Sequence, residues 1–184
     1  MLFFYCSCLK QPSNKNAYLM LNQNFTQLVD TISYKYNTLR PAPNQKLLDD
    51  KRTAYPLSVF YKFIDIKKWD DLIIEALNND SIRNRQSYLD LYSSNKHDEL
   101  DEIDIKKINK TGLYKLHKNQ NLDIRKIDGF IGHLKFSTII EDGRFGLFVI
   151  TIQDNVKSGV EKLILLENKN NCWKINQEIE LTIW

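Results

Sequence analysis

The sequence predicts an α+β fold: three to four N-terminal helices packed on a curved antiparallel β-sheet, a meander, in the C-terminal half. Two observations predict it. In the last third, the runs 130–140, 145–152, 160–167, 172–176 and 179–184 are short and rich in β-branched and aromatic residues. Between them sit Glu141-Asp142-Gly143-Arg144, the stretch 154–159, Asn168-Lys169-Asn170-Asn171 and the short Gln177-Glu178 link. Asp-Gly and Asn-rich clusters supply the positive-φ and side-chain-capped turns that hairpins need. In the first half, apolar residues instead recur at spacings of three and four, the period of a helix face.

The helices follow in order. Tyr18, Leu21, Phe25, Leu28, Val29, Ile32, Tyr36 and Leu39 form one stripe over 14–39, with Asn14 or Asn16 as cap and Pro41 and Pro43 as the stop. After a polar connection, Pro56 opens a second segment in which Leu57, Phe60, Tyr61 and Ile64 share a face. Trp69, Leu72, Ile73, Ala76 and Leu77 repeat the pattern, and 81–93 predicts a further helix with Ile82, Leu89 and Tyr92 inward. The polar stretch 94–110 carries Asp98, Glu99, Asp101, Glu102 and Asp104. It lacks the glycine and the Asp-x-Asp-x-Asp-Gly register of a calcium loop, so it reads as a solvated charged connection.

The strands differ in their two faces. Over 130–140 one alternating set is apolar, while the other mixes Ile131, His133, Lys135, Ser137 and Ile139. Leu147-Phe148-Val149-Ile150 and Leu163-Ile164-Leu165-Leu166 are apolar on both faces, and strands of that kind are covered on both sides. The helices supply one cover. A cavity, the N-terminal helix or a partner supplies the other.

Composition bounds the function classes. Of 184 residues, 42% are hydrophobic and 27% charged, the balance of an ordinary soluble domain. The net charge of +3, from 26 basic and 23 acidic residues, is scattered and makes no basic stripe for nucleic acid. No window reaches the roughly 20 apolar residues of a membrane span. The chain divides into a tail or lipoprotein-like signal remnant, 1–13, and a single α+β domain, 14–184.

In that tail, an apolar run, then Ser7-Cys8, then a polar linker resembles the end of a bacterial lipoprotein signal. A small residue there precedes the cysteine that becomes lipidated. The resemblance implies lipid attachment at Cys8 and a periplasmic face of the bacterial cell envelope. Tyr5 stands where that signal prefers an aliphatic residue, and no basic region precedes it. A frayed terminus on a cytoplasmic domain is the alternative. Three cysteines, two of them Cys6 and Cys8, make no disulfide framework. Cys172 reads as a small core residue beside Trp173.

Helices followed by an antiparallel sheet that ends in a polar turn and Cys172-Trp173-Lys174-Ile175 resemble the nuclear-transport-factor-like (ketosteroid-isomerase-like) α+β cone. That fold occurs in bacterial envelope lipoproteins and toxin-neutralising immunity proteins. The resemblance rests on 160–175, with Phe60-Tyr61 and Trp69-Asp70-Asp71-Leu72 in the helices. Asn170-Asn171 stands where the family carries glycine, and a generic antiparallel α+β sandwich is the competing architecture.

No catalytic set emerges. The three histidines, His97, His117 and His133, form neither an HExxH pair nor a zinc spacing, and no phosphate loop or dinucleotide fingerprint occurs. No cofactor or metal is implied. His133 and Lys135 are the candidate polar groups of a cavity if their face lines one, and surface residues if it meets solvent. The expected function is a noncatalytic bacterial envelope protein that binds a partner protein, such as a toxin-neutralising immunity protein. The alternative is a small-molecule enzyme or ligand carrier using the cone cavity.

Overall fold

Three segments with helical periodicity and seven with strand periodicity assemble as one three-layer unit in the computed structural model, which describes residues 14–30, 55–94, 102–112, 114–120, 132–155 and 157–184. The helices are α1 (Asn14–Asp30), α2 (Asp70–Leu77) and α3 (Arg85–Ser94). The strands are β1 (Tyr55–Phe60), β2 (Tyr114–Asn119), β3 (Gly132–Phe136), β4 (Ile140–Glu141), β5 (Phe145–Asn155), β6 (Ser158–Lys169) and β7 (Cys172–Ile183). They form a seven-stranded sheet in the order β2-β1-β3-β5-β6-β7, with β4 paired to β5. The fold is α+β as expected, and the sheet is mixed rather than wholly antiparallel. β1 runs parallel to both β2 and β3, while β3, β5, β6 and β7 form the antiparallel part.

The second expected helix, opening at Pro56, is instead β1. Leu57 and Val59 are buried on one face and Ser58 on the other. The 57, 60, 61, 64 spacing fits a helix, but a strand also uses the alternation of Leu57, Ser58 and Val59. Pairing on both sides, with β2 and β3, decides between them. The expected helix over 81–93 is α3, starting at Arg85 after Asn84 at φ +61°. The part of the first expected helix beyond Asp30 lies outside the described residues.

Two expected breaks also move. The run 130–140 divides into β3 and β4 across Thr138-Ile139, and just before the break Ser137 bridges to Ile64 and its hydroxyl accepts from the Val149 amide at 2.7 Å. The Gln177-Glu178 link is no turn. β7 passes straight through it, and the register against β6 slips at Asn176 and again at Leu181, where one extra residue is accommodated each time. Such bulges keep a long strand continuous while twisting it. The Asn170-Asn171 turn between β6 and β7 has φ of +55° and +61°, the double positive-φ geometry of a tight hairpin.

Both sheet faces are covered by the chain itself. On one face Leu134, Phe136, Phe148, Ile150, Ile164 and Trp173 pack against Tyr18, Leu21, Phe25 and Leu28 of α1. On the other, Leu147, Val149, Leu163 and Leu165 pack against Trp69, Ile73 and Leu77 around α2, and Tyr88 and Leu91 of α3. The missing second cover is therefore the N-terminal helix. Its polar residues tie it down. The Trp173 amide donates to Gln23 Oε1 at 2.7 Å, and Asn24 Nδ2 donates to the Trp173 carbonyl at 3.2 Å. Asn22 accepts from the Asn109 and Lys110 amides at 2.7 and 3.1 Å.

Helix α3 docks on the first bulge. Burial pushes the Tyr88 phenol up to about 12, so it stays a neutral donor. Its hydroxyl donates to the Leu166 carbonyl at 3.1 Å and accepts from Asn176 Nδ2 at 3.3 Å. Tyr88→Phe removes both bonds in a buried setting and is expected to cost about 1–3 kcal/mol in urea unfolding. A loss of a few tenths would mean that the bulge is set by the strands alone.

Candidate functional site

The polar residues gather where the second face runs out of apolar cover. Its inner rows are Leu147, Val149, Leu163 and Leu165; the next positions on the same strands are Thr151, Gln153 and Glu161. Register aligns them with their neighbours. Ser58 pairs His133, which pairs Gln153; Lys135 pairs Thr151, which pairs Glu161. Adjacent paired positions point to the same face of a sheet, so these side chains form a polar lane across β1, β3, β5 and β6. Ser58, His133 and Thr151 are buried.

His133 is fully buried rather than solvent-facing, which corrects the surface expectation. Its Nδ1 lies 3.0 Å from Ser58 Oγ, while Nε2 is buried and has no hydrogen-bond partner among the described residues. Burial pulls the imidazole down to about 4, nearby Lys135 acts in the same direction, and a hydrogen bond with Ser58 opposes them. The ring is neutral at pH 7. Lys135 is half-buried, and its ammonium is pushed below the usual lysine value by burial first and by Lys68 second, with Glu161 opposing. Lys68 Nζ stands 4.0 Å from Glu161 Oε1 and 4.9 Å from the centre of the Trp69 ring.

What this lane can do is limited. A Ser–His contact serves nucleophilic catalysis only with access, an orienting group on the second ring nitrogen and an oxyanion site. Among the described residues the second nitrogen has no orienting group. The lane fixes one neutral, buried imidazole beside Ser58. Among the described residues, no group of three or more His, Cys, Asp or Glu side chains could hold a metal ion.

The other sequence candidates scatter. Cys8 and His97 lie outside the described residues, and His117 sits half-buried on β2. From the acidic run, Glu102 pairs Lys118 at 2.7 Å, and this bond holds its carboxyl below the usual range. Asp104 caps a short 3-10 turn at Ile105–Lys107. Both roles are structural. Cys172 is exposed, not a core residue: successive residues of a strand point to opposite faces, and Trp173 takes the inward position.

A second feature was not anticipated. Between α2 and β7 lies a groove of about 240 Å³, lined by Leu72, Glu75, Ala76, Asn79, Ile82, Gln177, Ile179, Glu180 and Leu181. Leu72, Ala76, Ile82, Ile179 and Leu181 are its apolar lining, and its charged lining residues are Glu75 and Glu180. Of this lining, α2 contributes Leu72, Glu75 and Ala76 and no basic residue. No salt bridge engages Asp71, Glu75 or Glu180 among the described residues. β7 is also the last strand of the sheet. At its start α1 occupies the outer edge, through the Gln23 and Asn24 bonds to the Trp173 main chain. Beyond Trp173 no described strand pairs with that edge, and Ile183 and Trp184 are exposed at 69% and 40%.

Comparison with protein-family models, with curated proteins and with solved structures finds no match for this chain.

Proposed function

We propose that the chain is a noncatalytic binding domain of the bacterial cell envelope that docks a partner protein along the outer edge of β7. The observation that carries this reading is the pairing of an edge strand with an adjoining groove. The apolar faces of the sheet are consumed by the chain's own helices, so recognition falls to the edge. An exposed strand edge is a template for another chain, and proteins that do not use one normally cover or blunt it. Here α1 covers only the beginning, at Trp173.

The test is site-specific photo-crosslinking in the protein's own cells. A crosslinking residue at Glu180 on β7 is expected to capture a discrete partner, and one at Gln86 on the exposed face of α3 is not. Equal capture at both positions, or none at Glu180, would remove this reading. The immunity role adds that the partner is a toxin, whose activity the purified domain then suppresses stoichiometrically.

The envelope address rests on the Ser7-Cys8 resemblance to a lipoprotein signal. The full-length chain is expected in the membrane fraction, and Cys8→Ala is expected to release it to the soluble fraction. An unchanged distribution would remove the case for a lipid anchor at Cys8.

One observation favours a ligand carrier as the second reading: the buried Nε2 of His133, which has no partner among the described residues. A thermal-shift ligand screen should then find stabilisation that His133→Ala abolishes. Stabilisation indifferent to that change would end the case for this residue.

A further inference from the structure

The groove between α2 and β7 is acidic on a chain whose net charge is +3, so its charge is local and not a property of the whole surface. Leu72, Ile179 and Leu181 line it with apolar side chains and Glu75 borders it from α2, while Glu180, paired with Lys162, turns to the opposite face of β7 from Ile179. Glu75 and Glu180 are both exposed. We infer that this groove takes an extended peptide segment of the partner in which apolar residues alternate with Lys or Arg, added to β7 as a further strand. This inference rests on the binding reading above and names the chemistry of the partner.

Strand addition supplies the main-chain half of the recognition. A strand added to an edge gains affinity from backbone hydrogen bonds and specificity from pockets for its alternate side chains. The usable edge is bounded. At Trp173 it is taken by Gln23 and Asn24, and the bulges at Asn176 and Leu181 interrupt the ladder. Between the bulges, residues 177–180 pair regularly with β6, and three of them, Gln177, Ile179 and Glu180, line the groove. The added strand therefore meets backbone and groove at the same place.

Charge selects among occupants. Nucleic acid and anionic lipid are repelled by Glu75 and Glu180. A second copy would bring the same carboxylates against themselves, and like charges across an interface disfavour pairing. In an added strand the apolar side chains enter the groove on the α2 face, and the alternate cations lie on the other face beside Glu180.

The experiment uses the full chain and three synthetic octapeptides: one alternating Lys and Val, one alternating Glu and Val, and one with four Lys followed by four Val. Fluorescence anisotropy gives affinity, and amide hydrogen exchange locates binding. The alternating Lys peptide is expected to bind about tenfold or more tighter than either control and to slow exchange at 177–180. The exposed pair Glu75→Gln and Glu180→Gln together is expected to weaken it about tenfold while circular dichroism stays unchanged. Several results overturn the inference: no binding, equal binding of the block peptide, protection elsewhere, or indifference to the double substitution. Protection of β7 that appears with protein concentration alone assigns the edge to a second copy and also overturns it. If a partner crosslinks at Glu180 in cells while the peptides fail, this inference falls and the binding reading stands. If neither occurs, both fall.

Discussion

Trp173→Ala is expected to lower the unfolding free energy by about 3–5 kcal/mol, the range for truncating a buried aromatic side chain. Trp173 is 2% exposed and joins the core that α1 shares with the sheet. Its ring edge and Met20 both crowd Gly146, where an added Cβ would meet Trp173 Cζ3 and Met20 Cε at 3.3 Å. Removing the indole opens a cavity between layers whose other members cannot slide inward, because Gln23 and Asn24 fix α1 to the Trp173 backbone. Domains of this size are stable by about 5–15 kcal/mol, so the loss is a large share of the total. Urea denaturation followed by circular dichroism measures it, with the midpoint falling and the slope unchanged. A loss under about 1 kcal/mol would mean that α1 does not dock through this residue. Asn24→Leu gives a smaller companion effect of about 1–3 kcal/mol by stranding the Trp173 carbonyl.

The same region indicates what the sequence makes legible. Asn170 and Asn171 lie at positive φ, as their side chains and position between two strand patterns imply, and Gly143 does so beside Asp142 at φ +91°. The two-faced apolar runs 147–150 and 163–166 require a cover on each side, and both covers exist. These are local signals, set by turn chemistry and period. The polar lane was half visible. Thr151 and Gln153 interrupt the apolar set of β5 on one face only, which marks where that face changes character. The partner of His133 was not visible, because Ser58 lies 75 positions away, in a segment whose apolar spacing also suits a helix. The parallel pairing of β1 and the placing of α2 beside β7 likewise depend on how distant pieces meet, and no local pattern encodes that. Cys172 and Trp173 were assigned inward together, although adjacent strand residues take opposite faces.

His133 makes the stability depend on pH in a defined direction. Its folded-state value, about 4, lies below the ordinary 6.5 of an unfolded chain. Above pH 6.5 the ring is neutral in both states, and the contribution is constant. As pH falls from 6.5 towards 4, the unfolded chain takes up a proton that the folded one refuses, so stability is lost across that window. At about pH 4.5 the expected penalty is about 2–3 kcal/mol, using 1.36 kcal/mol for each pKa unit. Carboxylates also titrate near the lower end, so the informative quantity is the difference between wild type and His133→Gln. That variant keeps a polar side chain near Ser58 without an ionisable ring. Urea unfolding of both proteins between pH 7.5 and 4.5 should show wild type losing about 2–3 kcal/mol more than the variant over the interval. The direction is fixed by cause. Burial without a counter-charge depresses an imidazole, and Lys135 on the same face adds repulsion, whereas a carboxylate bonded to the ring would raise it and reverse the sign. Parallel pH profiles for the two proteins would mean that the ring finds a partner for its proton when charged, and Nε2 would then be the place to look for it.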